Sequence, residues 1–186
     1  LAILAMPVLL MAQERYTVQI GNFMETRAED FSQLRSIGFV YAAPVDAGVM
    51  SIMLGGYDSK DAADRAVAQV RAKGYPSAYA RQIFLREGMN VAVIQIGTEK
   101  SNTKINWERY AAAGDLYGIM GAGDIRIVTG PYASMDEARK RLDGIRKAGF
   151  RDAFVRAVNS MTLHRLAEFE TGIKKPLIPL NIQTEA

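Results

Sequence analysis

GGYDSKDAADRAVAQVRAKGYPSAYAR, residues 55–81, overlays GPYASMDEARKRLDGIRKAGFRDAFVR, residues 130–156, without a gap at an offset of 75. Nine of the 27 positions are identical: Gly55/Gly130, Tyr57/Tyr132, Ser59/Ser134, Asp61/Asp136, Ala63/Ala138, Arg71/Arg146, Gly74/Gly149, Ala78/Ala153 and Arg81/Arg156. Upstream, VQIGN (18–22) matches IQIGT (94–98) at an offset of 76. Ungapped self-similarity over this length marks a chain built from two copies of one supersecondary unit. The expected organisation is residues 1–13 as a leader-like segment, units at 14–86 and 87–158, and a tail at 159–186.

Each copy implies the same order of elements. Tyr16 to Asn22 alternates apolar and polar positions, the period of a half-buried strand. Residues 26–37 place Phe31, Leu34 and Ile37 on one face of an expected helix, with Gly38 at its C′ position. Strands follow at 39–43 and 49–54 around the turn-like Pro44–Gly48. Ser59 is placed to N-cap a second helix carrying Ala63, Val67 and Val70, stopped by Gly74. In the second copy Ser134 with Glu137 has the spacing of a capping box, and Gly149 is the stop. There the first helix is carried by Trp107, Tyr110 and Ala111, with Gly114 arriving early. Last strands run through Ala78–Ile83 and Ala153–Val158, and Tyr57 and Tyr132 are expected to cap the cores. The fold class is α+β: two tandem βαββαβ units, each a four-stranded antiparallel sheet with helices on one face.

Composition narrows the chemistry. The chain has 186 residues, 49% hydrophobic and 23% charged, which suits a globular protein. Lys plus Arg number 23 and Asp plus Glu 20, a net charge of +3 that is too small to imply a nucleic-acid partner. There is no cysteine and one histidine, His164. Disulfides, thiolate catalysis and Cys- or His-rich metal sites are therefore excluded. No G-x-S-x-G elbow accompanies His164, and acidic residues cluster on helices and turns rather than as a facing pair of carboxylates. The expectation is a protein without enzyme activity, cofactor or metal. Residues 1–13, LAILAMPVLLMAQ, carry no charge and are too short to span a bilayer. They suit the apolar core of an export signal, with cleavage expected after Ala12, and equally suit the remnant of a membrane anchor or a buried strand.

The ordered motifs resemble those of SPOR domains, the sporulation-related repeats of bacterial envelope and division proteins. The first unit offers YTVQIGNF, SIMLGGYDSKDAA and KGYPSAY; the second offers VAVIQIGT, IRIVTGPYASMDEA and AGFRDAF. The resemblance spans about residues 15–83 and 90–158. It implies a periplasmic or envelope protein whose open sheet faces bind peptidoglycan glycan strands stripped of stem peptides. Carried over by position, the implied site is Gln19, Asn22 and Tyr79 in the first unit, with Gln95, Thr98, Arg126 and Phe154 in the second.

The residues themselves agree with such a face. With Val18 and Ile20 inward, Gln19 points to the open side, where its amide offers two donors and an acceptor to sugar hydroxyls and N-acetyl groups. Gly21 is expected to admit a ligand close to the backbone. Tyr79 and Phe154 put aromatic rings where the apolar faces of pyranoses can pack. Two departures stand out: SPOR domains often present an aromatic and a basic residue on the third strand, where the first unit has Val49 and Ser51 and the second Asp124 and Arg126.

A second reading stays open. Gln19 and Gln95 equally suit solvating a bare face, Tyr79 and Phe154 equally suit burial under a neighbouring unit, and Arg126 equally suits an ordinary ion pair. On that reading the protein is a structural or assembly subunit, using sheets and tail for contacts with other envelope proteins or with itself. Met161 to Thr171 is expected to form a short helix through Leu163, Leu166 and Phe169. KKPLIPLNIQ beyond it is extended by its prolines. His164 is expected to play no chemical part. YTVQIGNF and GFVYA resemble fragments of the RNA-recognition motifs, but GFVYA follows the first helix rather than forming the third strand, and RNA is not the expected partner.

Overall fold

The computed structural model describes residues 14–174; the leader-like segment 1–13 and residues 175–186, on which the expected extended tail falls, lie outside the described residues. The chain runs β1 (Arg15–Met24), a 3₁₀ segment Ala28–Leu34, β2 (Val40–Asp46), β3 (Val49–Tyr57), α1 (Lys60–Ala72) and β4 (Tyr79–Ile83). A 3₁₀ turn at Leu85–Glu87 leads into β5 (Asn90–Lys100), a 3₁₀ segment Trp107–Ala113, β6 (Leu116–Met120), β7 (Asp124–Tyr132), α2 (Met135–Lys147) and β8 (Phe154–Asn159). The tail adds β9 (His164–Arg165) and α3 (Glu168–Thr171). The first sheet has the order β2-β3-β1-β4 and the second β8-β5-β7-β6-β9, with every pairing antiparallel.

The long helices form as their sequences dictate. Ser59 accepts a hydrogen bond from the Ala62 amide and Ser134 one from the Glu137 amide. The Glu137 carboxylate reaches one residue past its cap, to the Ala133 amide at 3.2 Å. Gly74 and Gly149 stop the two helices at φ +99° and +113°, where a side chain would be strained. Ala63, Ala66, Val67 and Val70 bury one stripe of α1 against Val18, Ile20, Ile52 and Leu54. Each valine, leucine or isoleucine buried this way contributes about 1.5–3 kcal/mol, and each alanine methyl less.

The expected first helices are 3₁₀ segments instead of α-helices. The apolar residues of 26–37 recur every third position, Phe31, Leu34 and Ile37, which is the 3₁₀ period. Phe31 itself leaves helical geometry at φ −109°, ψ 15°. The same spacing recurs in Trp107, Tyr110 and Ala113, all buried, whereas Ala111 is exposed. Gly38 is no left-handed cap; a Cβ there would lie 2.8 Å from Leu54, so packing excludes a side chain. Pro44, Val45 and Asp46 belong to β2, and the turn is reduced to Ala47-Gly48.

The sheets are less open than the sequence implies. Phe39, Tyr41 and Met53 on the far face of the first sheet join Trp107, Met120 and Leu166 in one apolar cluster, tying the units together. Phe39 meets Trp107 with ring centroids 6.2 Å apart. Gly56 of β3 donates its amide to the Gly121 carbonyl at 2.9 Å. Arg15 spans the same joint, pairing with Asp58 and donating through Nη2 to the Met120 carbonyl at 2.6 Å.

The tail folds back on its own chain rather than forming the single helix expected. His164–Arg165 extends the second sheet beside β6, and Leu166 is buried in the shared cluster. Glu170 is buried too, its Oε1 accepting from the Ala42 amide at 2.9 Å and its Oε2 from the Ala167 amide at 2.8 Å. His164 Nε2 sits 2.9 Å from Glu170 Oε1, giving the histidine a structural part.

Candidate functional site

In each unit the candidate residues gather around the central strand and its last partner. Gln19 stands directly across from Tyr79, and Gln95 across from Phe154. Strict alternation would send residues 19 and 22 to opposite faces. An irregularity between Gln19 and Gly21 in the β1–β3 register, repeated between Gln95 and Gly97, changes that. A bulge of this kind inserts one residue and re-aims those beyond it. Asn22 and Thr98 thereby join their glutamines on the face away from the helices.

The same bulge corrects the reading of Gly21. It pairs with the buried Ile52, and a Cβ on it would lie 3.1 Å from the Phe23 ring. At the equivalent Gly97 a Cβ would lie 2.5 Å from the Tyr110 hydroxyl. These glycines make room for aromatic rings on the helix side, not for a ligand.

The polar contacts run in parallel. Gln19 Oε1 accepts from the Tyr79 hydroxyl at 2.8 Å and from Arg81 Nη1 at 3.3 Å, while its Nε2 donates to Asn22 Oδ1 at 3.4 Å. Gln95 Oε1 accepts from Arg156 Nη1 at 2.9 Å, and its Nε2 donates to Thr98 Oγ1 at 3.1 Å. The aromatic partners stay uncovered, Tyr79 at 47% and Phe154 at 46% exposure. With the glutamine oxygens occupied, each face presents mainly donors beside an aromatic ring: the second amide hydrogen and the guanidinium N–H groups.

Arg81 and Arg156 are the residues that the motif comparison missed. Their signal was in the overlay, where both positions are Arg. The first unit therefore has a cation on this face, supplied by its last strand instead of its third. Ser51 is buried, its hydroxyl without a hydrogen-bond partner, and could not serve. Arg126 lies beside Thr98 in register, half-buried, and makes no hydrogen bond or ion pair among the described residues. A cavity of about 540 Å³ sits over the first sheet, with Thr17, Tyr41, Tyr79, Arg81, Met161 and His164 in its walls. Among the described residues no cluster of three or more His, Asp or Glu could hold a metal ion. Nor is any helix among them long and apolar enough to cross a membrane.

These features define a class first: paired antiparallel sheets, each offering an amide, a guanidinium and a bare aromatic ring. The SPOR domain family model matches residues 12–82, so the first unit is a SPOR domain. Among solved structures the chain is similar to the peptidoglycan binding domain of the B. subtilis cell wall lytic enzyme CwlC. Identity is 26% over 38% of this chain and 91% of that domain, with a TM-score of 0.31. No curated protein matches.

Proposed function

We propose that the protein is a non-enzymatic component of the bacterial cell envelope that binds peptidoglycan. Residues 14–86 and 87–158 act as two binding units, the second a diverged SPOR domain. Glycan strands lie on Gln19, Asn22, Tyr79 and Arg81 in the first unit and on Gln95, Thr98, Phe154 and Arg156 in the second, with Arg126 at the margin. One observation carries this reading: the same amide–guanidinium–aromatic arrangement recurs on both sheets, with its aromatic ring exposed in each, although most surrounding residues differ. Buried core residues recur in any repeat, but bare aromatic rings beside fixed donors suit a sugar ring that brings an apolar face and carbonyl acceptors. Export to the periplasm by residues 1–13 belongs to the same proposal.

Co-sedimentation with purified sacculi, intact and amidase-stripped, tests it. Preferential retention on stripped sacculi, lost in Gln95→Ala/Phe154→Ala and reduced in Gln19→Ala/Tyr79→Ala, is the expected result. No retention on either, with self-association in the same sample, would replace it with the assembly-subunit reading.

A further inference from the structure

The joint between the units carries a second surface. A groove of about 860 Å³ runs between the end of β4 with the turn that follows it, residues 82–86, and the far face of the second sheet. Arg15, Arg86, Arg126 and Arg156 line it, and among the described residues Glu14 is the only acidic one that does. Glu14 is already engaged, accepting from the Tyr16 hydroxyl at 2.8 Å. Arg15 is held by Asp58 and the Met120 carbonyl, and Arg156 by Gln95. Arg86 lies over the Phe84 ring, 5.3 Å from its centroid, which leaves its N–H edges free. Arg126 has no partner at all among the described residues, yet is half-buried beside Ile119 and Val158 in the same wall.

Half-burying a guanidinium beside other cations is unfavourable unless an anion offsets it. Most of this chain's charge is balanced, at 23 basic to 20 acidic residues, and with Arg15 paired to Asp58 the three arginines 86, 126 and 156 remain as a local excess over one engaged carboxylate. The groove is large enough for more than one sugar residue or a charged linkage between them, within the size range of about 300–1,000 Å³ usual for ligand sites. It needs both units, because one wall is the end of the first unit's β4 with its following turn and the other is the second unit's sheet.

We infer that this groove is a binding site for oxyanion groups carried on an acidic glycopolymer. Arg126 and Arg86 supply the primary contacts, and Arg156 is shared with the neighbouring sugar-binding face. A sugar-acid carboxylate and a phosphodiester offer a guanidinium the same chemistry, two acceptor oxygens in one plane. The adjoining Phe154 face favours a sugar polymer over a nucleic acid.

Calorimetric titration of the purified chain tests this with oligogalacturonate for carboxylate, polyglycerol phosphate for phosphate, chitohexaose as neutral sugar and duplex DNA. At least one acidic polymer is expected to bind more tightly than chitohexaose, and to weaken markedly as salt rises from about 50 to 200 mM. Arg86→Gln/Arg126→Gln is expected to cost at least about fivefold in that affinity, and Lys140→Gln/Arg141→Gln on the exposed face of α2 less than about twofold. Which acidic arm responds identifies the oxyanion. No binding of either acidic polymer, equal losses in the two double variants, or tighter binding of DNA than of both polymers would overturn the inference. The double variant Gln19→Ala/Tyr79→Ala separates the two sites, since neither residue lines the groove, and it is expected to leave affinity for the acidic polymer within about twofold. If sacculus retention fails in the unaltered protein while the acidic polymer still binds, the groove stands and the sheet-face reading falls.

Discussion

Arg156 Nη1 lies 2.9 Å from Gln95 Oε1, and the guanidinium thereby fixes which way the Gln95 amide faces. With its oxygen occupied, Gln95 can only offer its Nε2 hydrogens, one of them already directed at Thr98. Arg156 is in this respect a positioning residue. Replacing it by Met keeps the apolar stem and frees the amide to flip. Retention on stripped sacculi is expected to fall by about three- to tenfold, the net worth of one ordinary hydrogen bond. The side-chain NH₂ resonances of Gln95 in an NMR spectrum should shift and broaden, while the melting temperature stays within a few degrees.

Glu170 is the clasp that closes the tail over the first sheet. Its carboxylate holds the Ala42 amide, on an edge strand with no neighbour on that side, together with Ala167 and His164. Glu170→Ala strands a buried N–H and removes the anchor of α3. A loss of about 2–4 kcal/mol is expected in urea unfolding, with Glu170→Gln losing less because it keeps one acceptor. Hydrogen exchange at Ala42 should quicken in both.

Gly56 sets how closely the units approach. A Cβ there would lie 2.2 Å from the Met120 carbonyl oxygen, a backbone atom that cannot swing aside. Gly56→Ala is therefore expected to push β3 from the β6–β7 turn, break the bond to Gly121, and cost about 2–4 kcal/mol. Calorimetry should then resolve two transitions where the unaltered chain shows one. Gly123→Ala, at a position with nothing within 4 Å, is the control and should be near neutral.

Several of these features could be read from the sequence and others could not, for identifiable reasons. The overlay at an offset of 75 gave the two sheets and the caps at Ser59 and Ser134, because hydrophobic period and capping chemistry are local. Phe31, Leu34 and Ile37 carried their three-residue period openly; an α-helix was expected only because 3₁₀ runs of this length are uncommon. The bulges beyond Gln19 and Gln95 left no mark, since an inserted residue preserves composition and merely shifts the alternation. Nor did the joint between units: Phe39, Tyr41 and Met53 are of the same types as any core residue, so the pattern does not say which core they fill. β9 is two residues long, too short for any period. Arg81 and Arg156 were visible as an identity, and only the register shows that they reach the glutamines.

Tyrosines buried in both units link stability to alkaline pH. Burial pushes the Tyr41 hydroxyl from its ordinary 10 up to about 12, against a smaller downward pull from its hydrogen bond to Thr17. Tyr110 rises to about 12, by burial first and then by its hydrogen bond to the Glu99 carboxylate at 2.6 Å. Tyr57 is raised by burial, its hydroxyl having no hydrogen-bond partner. In each case the folded state holds its proton more tightly than the unfolded chain. The stabilisation is thus whole below about pH 10, where both states are protonated, and is lost as pH climbs through about 12. Stability measured by urea unfolding should be flat in this respect from pH 7 to about 9.5 and then fall steeply. Tyr41→Phe removes one titrating group and should make that fall shallower, even though it also forfeits the bond to Thr17 and lowers stability at neutral pH by about 1 kcal/mol. An unchanged slope in Tyr41→Phe would mean that this hydroxyl ionises freely in the folded protein, contrary to its burial between the two units.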